Sequence, residues 1–337
     1  MLHRVRDPMT KSPFVILLPV YEDWDSVRLL LPRIDYALAQ ANIAARILII
    51  DDGSSVRCPT DLVSSDLRCI TQVAALLLRG NLGHQRAICI GICTVSASPE
   101  WSDCEGVIVM DADGEDSPAD VPRLVERFRA SGGREAVFAR RLRRAEGPIF
   151  RLFYQLFRLL HRLFIGIPVQ MGNFSLLPMG AVTRLTVVAE LWNHYAAACV
   201  HSRLPIALVP TTRARRMAGR SRMNFAGLVA HGLAAISVFG ERIGARALLA
   251  VVSIACVLLL TAVFALAMRV VTGMALPAWS GIAAAVSAIL LMQALLLALL
   301  FSLLTLSARA AGHFIPARDY RWFVDRIDTV WGAHERL

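Results

Sequence analysis

Residues 106–120 read GVIVMDADGEDSPAD. An apolar run from Val107 to Met110 leads straight into Asp111, Asp113, Glu115 and Asp116. A buried strand that ends in so much negative charge calls for a cation or a set of donors at its mouth. A solvated loop that caps a helix starting near Pro118, with Asp116 or Ser117 as N-cap, would use the same residue types. The surrounding chain decides between the two.

Outward from this stretch, further short apolar runs alternate with helical patterns. Strands are expected at 14–20 (FVILLPV), 45–51 (ARILIID), 75–79 (ALLLR), 106–111, 135–140 (EAVFAR) and 205–210 (PIALVP). Helices are expected at Asp25–Ala41, Gly83–Ala97, Ala119–Ala130 and Met223–Arg242. Continuously apolar strands separated by helices predict an α/β domain with a mostly parallel, Rossmann-like sheet covered on both faces. Ligands of such sheets bind beyond the carboxyl ends of the strands. Glu22, Asp51, Asp52, Asp111 and Asp113 all fall at those ends. This repetition favours a binding site over a cap.

The chain has 337 residues, 56% of them hydrophobic, and a net charge of +10. The apolar excess collects after residue 245. No charged residue occurs from Ala247 to Met268 or from Gly281 to Ser307. At about 1.5 Å per residue each segment exceeds the roughly 30 Å hydrocarbon core of a bilayer. Both are expected to be transmembrane helices, about 247–268 and 281–307, forming a hairpin over 246–308. Arg242 and Arg246 precede the first span, Arg309, Arg318 and Arg321 follow the second, and Arg269 alone lies between them. The positive-inside rule then places both termini in the cytoplasm of a multi-pass inner-membrane protein. Gln293 in the second span reads as an interhelical hydrogen-bonding residue.

Two further segments carry membrane signals. In 147–168 (GPIFRLFYQLFRLLHRLFIGIP), Arg151, Gln155, Arg158 and Arg162 form one basic stripe, as on an interfacial amphipathic helix. The tail, 309–337, is expected to be cytoplasmic and amphipathic. A surface helix is expected over 319–335, with Trp322, Phe323 and Trp331 at the interface. Arg4, Arg6 and Lys11 precede an apolar run too short for an export signal, so 14–20 reads as the first strand. Seven cysteines without a CxxC pair read as reduced thiols used as small apolar residues.

The acidic cluster suits a hard cation, Mg²⁺ or Mn²⁺, which takes one or two carboxylates and completes its shell with substrate phosphates and water. Asp52-Gly53 after the second strand is a turn signal, and its carboxylates could accept hydrogen bonds from a base and ribose. The segment 213–225 (RARRMAGRSRMNF) gathers Arg213, Arg215, Arg216, Arg220 and Arg222 around Gly219 and Ser221. Guanidinium forks bind phosphate bidentately. This patch lies close to a span and has no interleaved aromatic platform, so a lipid-linked phosphate fits it better than nucleic acid. A positive-inside flank is the plainer alternative.

LPVYED, IDDGSS, RGNLGHQRA, VMDADGEDSPAD, GNFSLLP and RMAGRSRMN, in this order and followed by two spans, resemble the family-2 glycosyltransferases. They look most like the polyprenyl-phosphate glycosyltransferases, the group that contains dolichyl-phosphate mannose synthase, over about residues 13–310. The resemblance implies a GT-A catalytic domain over residues 1–240. It implies nucleotide-binding roles for Pro19, Tyr21, Glu22, Asp52 and Asp111, and metal ligation by Asp113 and Glu115. It implies catalytic roles for Asp111, Asp113, Arg140, Arg216, Ser221 and Arg222, the last four on the acceptor phosphate. The resemblance suggests that Arg151 joins them. Gly114-Glu115 and Asn173 depart from the family pattern, and Asn173 removes a carboxylate that could have been a base. A phosphate acceptor is already anionic and needs none.

The expected reaction is metal-dependent, inverting transfer of one sugar from a nucleotide-sugar to a polyprenyl phosphate of the undecaprenyl or dolichyl type. It takes place at the cytoplasmic membrane face, among membrane lipids and without nucleic acid. Transfer to a glycan or lipid hydroxyl, and a non-catalytic nucleotide-sensing membrane subunit, are the alternatives. A homo-oligomer is left open.

Overall fold

The computed structural model describes residues 12–63, 66–141, 171–218, 225–273, 277, 279–310 and 314–332. The expected helix at 147–168, Arg151, Ser221 and Arg222 lie outside the described residues. The chain divides into two compact units. One comprises residues 1–147, 170–238 and 314–337, and the other comprises 148–169 and 239–313.

The first unit is built on one eight-stranded sheet in the order β7-β5-β6-β4-β1-β2-β3-β8. Its strands are β1 (Phe14–Val20), β2 (Ala45–Asp51), β3 (Ile70–Leu78), β4 (Gly106–Val109), β5 (Ala136–Arg141), β6 (Ser175–Pro178), β7 (Ile206–Thr211) and β8 (Val324–Trp331). Pairings β1–β2, β1–β4, β2–β3 and β5–β7 are parallel, whereas β6 and β8 run antiparallel to their neighbours. All seven residues of β1 are buried, as a central parallel strand requires. Its side chains alternate between two cores. Phe14, Ile16 and Leu18 pack with α1 (Trp24–Gln40) and α3 (Val121–Ala130) on one face. Val15 and Leu17 pack with α2 (His84–Ala97), α4 (Met179–Leu185) and α5 (Tyr195–His201) on the other. This is the covered, mostly parallel α/β sheet that the apolar runs predict.

Two strands escape the sequence reading. β6 arises from SLLP, too short to show a period. β8 replaces the surface helix expected over 319–335, of which only short turns at Pro316–Asp319 and Tyr320–Phe323 remain helical. The strand closes the β3 edge, pairing Leu76 with Ile327 and Leu77 with Arg326. Val324, Ile327, Thr329 and Val330 favour a pleated surface. Asp325, Arg326 and Asp328, linked by ion pairs, give the outer edge the charge that discourages further pairing. The tail therefore belongs to the eight-stranded sheet of the first unit.

α6 (Phe225–Ser237) ends the described part of the first unit before the long helices begin. It ends at Ser237, before the expected Arg242, and a new helix starts at Gly240.

The second unit holds α7 (Gly240–Thr272) and α8 (Ser280–Ala310). At 33 and 31 residues each is longer than a bilayer core requires, and their large apolar side chains are mostly exposed. The pair is antiparallel, since Gly240 faces Thr305 while Gly244 faces Phe301 and Ser302. A Cβ on Gly244 would stand 3.0 Å from the Ser302 hydroxyl and 3.3 Å from the Phe301 ring, so the small residue permits the close approach. The four-residue spacing of Gly240 and Gly244 puts both on one face. The helices thus enclose both expected spans and form a hairpin. Further along, α9 (Pro316–Asp319) leads through the turn at Tyr320–Phe323 into β8.

Candidate active site

The carboxyl ends of β1, β2 and β4 converge, and each brings acidic residues with it. After β1, Glu22 adopts a left-handed backbone with φ 53°. That conformation is costly for a residue with a Cβ, and local bonds offset it. The Glu22 amide donates to Ser54 Oγ at 2.9 Å, and its carboxylate accepts from the Ser55 amide. Tyr21, beside it, is 42% exposed, while Pro19 is buried within β1 and paired with Ile50.

After β2, the chain turns sharply at Asp51–Ser54. Asp51 Oδ1 accepts from the Ser54 amide at 3.0 Å. Asp52 is buried, and its two oxygens accept from the amides of Leu82 and Gly83, each at 2.8 Å. This carboxylate grips the backbone that opens α2. Burial raises its pKa, and the two N–H groups pull it back in part. The expectation that Asp52 faces a base and ribose thus meets a structural role in the described geometry. Gly53 (φ 72°) lies so close to Gly80 that a Cβ there would be 2.4 Å from its carbonyl carbon.

After β4, residues 111–116 fold back on themselves. The buried Asp116 accepts from the Asp111 amide at 3.1 Å, and Asp113 Oδ1 accepts from the Glu115 amide at 2.9 Å. Asp116 therefore shapes this loop, and no side-chain cap bond forms at the start of the following helical turn.

The arginine segment lies directly against the loop. The Ala214 amide donates to the Glu115 carbonyl, and the Met217 amide to the Asp113 carbonyl, both at 2.9 Å. Arg213 pairs with Glu115. Arg216 donates through NH1 to Asp113 Oδ2 at 3.0 Å, through NH2 to Asp23, and through Nε to the Ala218 carbonyl at 2.8 Å. Burial raises the Asp113 pKa, Asp111 adds to that, and Arg216 and Arg213 oppose it. Arg140, next to the last residue of β5, pairs with Pro210, and its neighbour Ala139 lines a small recess with Glu115, Asp116 and Arg213.

Two participants were not singled out by the sequence. Asp23 holds Arg216, and its other oxygen accepts from Ser26 Oγ at 2.7 Å. His84, the first residue of α2, places Nε2 3.1 Å from Asp111 Oδ1 and 3.0 Å from Asn173 Nδ2. Asn173 accepts from Gln85 Nε2 at 3.2 Å, and Gln85 Oε1 accepts from the Tyr195 amide at 2.7 Å. The backbone donor sets the Gln85 amide, which sets Asn173, which faces His84. Burial works against the imidazolium, but the charges of Asp111, Asp116 and Asp113 outweigh it, and the pKa is raised. The RGNLGHQRA motif contained His84, yet nothing in its spacing tied it to Asp111.

Among the described residues, no three or more His, Cys, Asp or Glu side chains are grouped to enclose a metal. The site instead offers oxygen donors from Asp113 and Glu115, each matched at present by a guanidinium. A hard cation that relies on substrate oxygens for most of its shell fits such a set.

The chain is similar to known proteins. The model of the family described as glycosyl transferase family 2 matches residues 15–185, about half of the chain. Undecaprenyl-phosphate 4-deoxy-4-formamido-L-arabinose transferase from Erwinia tasmaniensis is 35% identical over 111 residues, covering 33% of this chain and 32% of that protein. The protein of the same name from Photorhabdus laumondii subsp. laumondii is 30% identical over 136 residues, covering 40% and 39%. The chain thus spans about a third of the length of the curated relatives it matches. Glucosyl-3-phosphoglycerate synthase from Mycobacterium tuberculosis is 18% identical with a TM-score of 0.49, covering 69% of this chain and 80% of that one.

Proposed function

Because the chain belongs to glycosyl transferase family 2, we propose that it moves one sugar from a nucleotide-sugar to a polyprenyl phosphate. The observation that carries the acceptor class is the direct apposition of the 213–217 arginine segment and the 111–116 carboxylate loop. Donor and acceptor anions would meet there, each beside charge of the opposite sign. The names of the relatives support the same class of acceptor.

In this reading Tyr21, Glu22 and the 51–55 turn border the nucleoside, with Pro19 and Asp52 holding the framework. Asp111 stands beside the donor diphosphate. Asp113 and Glu115 would hold Mg²⁺ or Mn²⁺, which offsets negative charge on the departing diphosphate. Arg140, Arg216, Ser221 and Arg222 hold the acceptor phosphate. Its oxygen attacks the anomeric carbon in line, the bond to the diphosphate breaks, and the electron pair leaves with the nucleotide. The configuration inverts, and no general base is required. Fixing both anions supplies the orientation that a reaction between two negative groups otherwise lacks.

The two long helices anchor the enzyme in the inner membrane, with both termini in the cytoplasm. The full chain in lipid nanodiscs, given a panel of nucleotide-sugars with undecaprenyl phosphate or with hydroxyl acceptors, tests the proposal. Metal-dependent transfer to the phosphate is expected, together with its loss in Asp113→Ala at unchanged circular dichroism. Transfer to hydroxyl acceptors alone, or full activity of metal-free Asp113→Ala, overturns it.

A further inference from the structure

Arg216 spends all three of its nitrogens on different partners. Nε donates to the Ala218 carbonyl, NH1 to Asp113 and NH2 to Asp23. The two carboxylates come from different strands, Asp23 from the end of β1 and Asp113 from the end of β4. The side chains of Asp23, Arg216 and Asp113 are 17%, 22% and 18% exposed, so this bridge is only partly screened by water.

Each carboxylate has one oxygen already committed. Asp23 Oδ1 accepts from Ser26 Oγ, and Asp113 Oδ1 from the Glu115 amide. The remaining oxygens, both Oδ2, are the ones that hold the guanidinium. NH1 therefore occupies a position on Asp113 that is open to a divalent ion in its absence. A divalent ion at this oxygen, bound at about 2.1 Å, weakens the NH1 contact, because it draws on the same oxygen and repels the guanidinium.

We propose that Asp23 is a positioning residue that shares Arg216 with Asp113 and retains it when a divalent cation takes over Asp113. NH1 then turns from a carboxylate partner into a free donor beside the cation, suited to a phosphate oxygen. NH2 stays anchored, so the arginine does not swing away with its backbone segment. Without Asp23, Arg216 leans wholly on Asp113 and competes harder with the cation. This inference rests on the reading of Asp113 as the cation-facing carboxylate, but not on the identity of the acceptor.

Binding of Mn²⁺ alone to the full chain in nanodiscs, followed by its paramagnetic resonance signal, tests the arrangement through a double-mutant cycle. Arg216→Gln is expected to tighten binding about tenfold by removing the competing cation, and Asp23→Asn to weaken it about fivefold. In the Arg216→Gln background, Asp23→Asn is expected to change binding by less than about twofold, since nothing remains to be shared. The Arg216→Ala background gives the same answer should the Gln variant lose the wild-type circular dichroism. An equal loss from Asp23→Asn in both backgrounds overturns the proposal, because Asp23 would then act only through its own charge. An absence of saturable Mn²⁺ binding overturns it as well. Failure of transfer to undecaprenyl phosphate with the cycle intact would fall on the proposed acceptor instead.

Discussion

His84 Nε2 stands 3.1 Å from Asp111 Oδ1, joining the N-terminus of α2 to the end of β4. Its raised pKa reflects a contest between burial, which disfavours the imidazolium, and the charge of Asp111 with Asp116 and Asp113, which favours it. In Asp111→Asn the imidazole midpoint, followed by NMR, should fall. A raised histidine pKa stabilises the fold below the unfolded value, and that contribution is lost as pH rises through the folded value. The acid-side stabilisation should shrink in His84→Gln, as measured by denaturant titration across this range.

Asp52 holds the amides of Leu82 and Gly83 in a nearly dry setting. Asp52→Ala would leave two donors unpaired, at a cost of about 2–4 kcal/mol. Urea unfolding of the variant is the measurement. Unchanged stability would mean that the carboxylate serves the ligand alone. Because burial raises its pKa, the folded chain binds the Asp52 proton more tightly than the unfolded chain. Its contribution therefore declines as pH climbs through the two values, and Asp52→Ala should flatten that slope.

Gly53 and Gly80 are neighbours in space with different tolerances. At Gly53 a Cβ meets the Gly80 backbone at 2.4 Å with φ at 72°, whereas at Gly80 nothing lies within 4 Å of a built Cβ. Gly53→Ala should cost at least about 2 kcal/mol, and Gly80→Ala much less. Thermal unfolding of the two variants side by side decides the point.

The closing strand gives a fourth expectation. Removing residues 324–337 strips β3 of its outer partner and exposes the Val73–Leu78 edge, which is mostly apolar. Such an edge recruits other chains. The truncated protein should aggregate during size-exclusion chromatography in detergent that keeps the full chain dispersed. A surface helix in this region, as the sequence suggested, would leave the profile unchanged.

The hairpin offers a fifth. Gly244→Leu pushes a branched side chain into Ser302 and Phe301. The helices must separate, and a cysteine pair placed at 240 and 305 should cross-link less readily than in the parent.

Much of this was legible in the chain itself. Central parallel strands are buried on both faces, so β1, β2 and β4 announce themselves as unbroken apolar runs. Spans announce themselves by length. β8 did not, because an exposed edge strand with Asp325, Arg326 and Asp328 shows no apolar face to read. Asp111, Asp113 and Glu115 were marked by their place at a strand end. Asp23 and His84 were not, since their partners lie 193 and 27 positions away in sequence, as the Arg216 and Asp111 pairings show.

The sequence by itself determined the sheet, the pair of long apolar helices, the carboxylate loop and the basic segment, since each follows from the local order of apolar and charged residues. Only the tertiary structure decided what each charge faces. Asp52 holds the amides of Leu82 and Gly83, and Arg216 bridges Asp23 and Asp113. The physical reason is that a buried charge is defined by its partner. Partners at the ends of parallel strands are brought together by the sheet order, which no local stretch of sequence encodes.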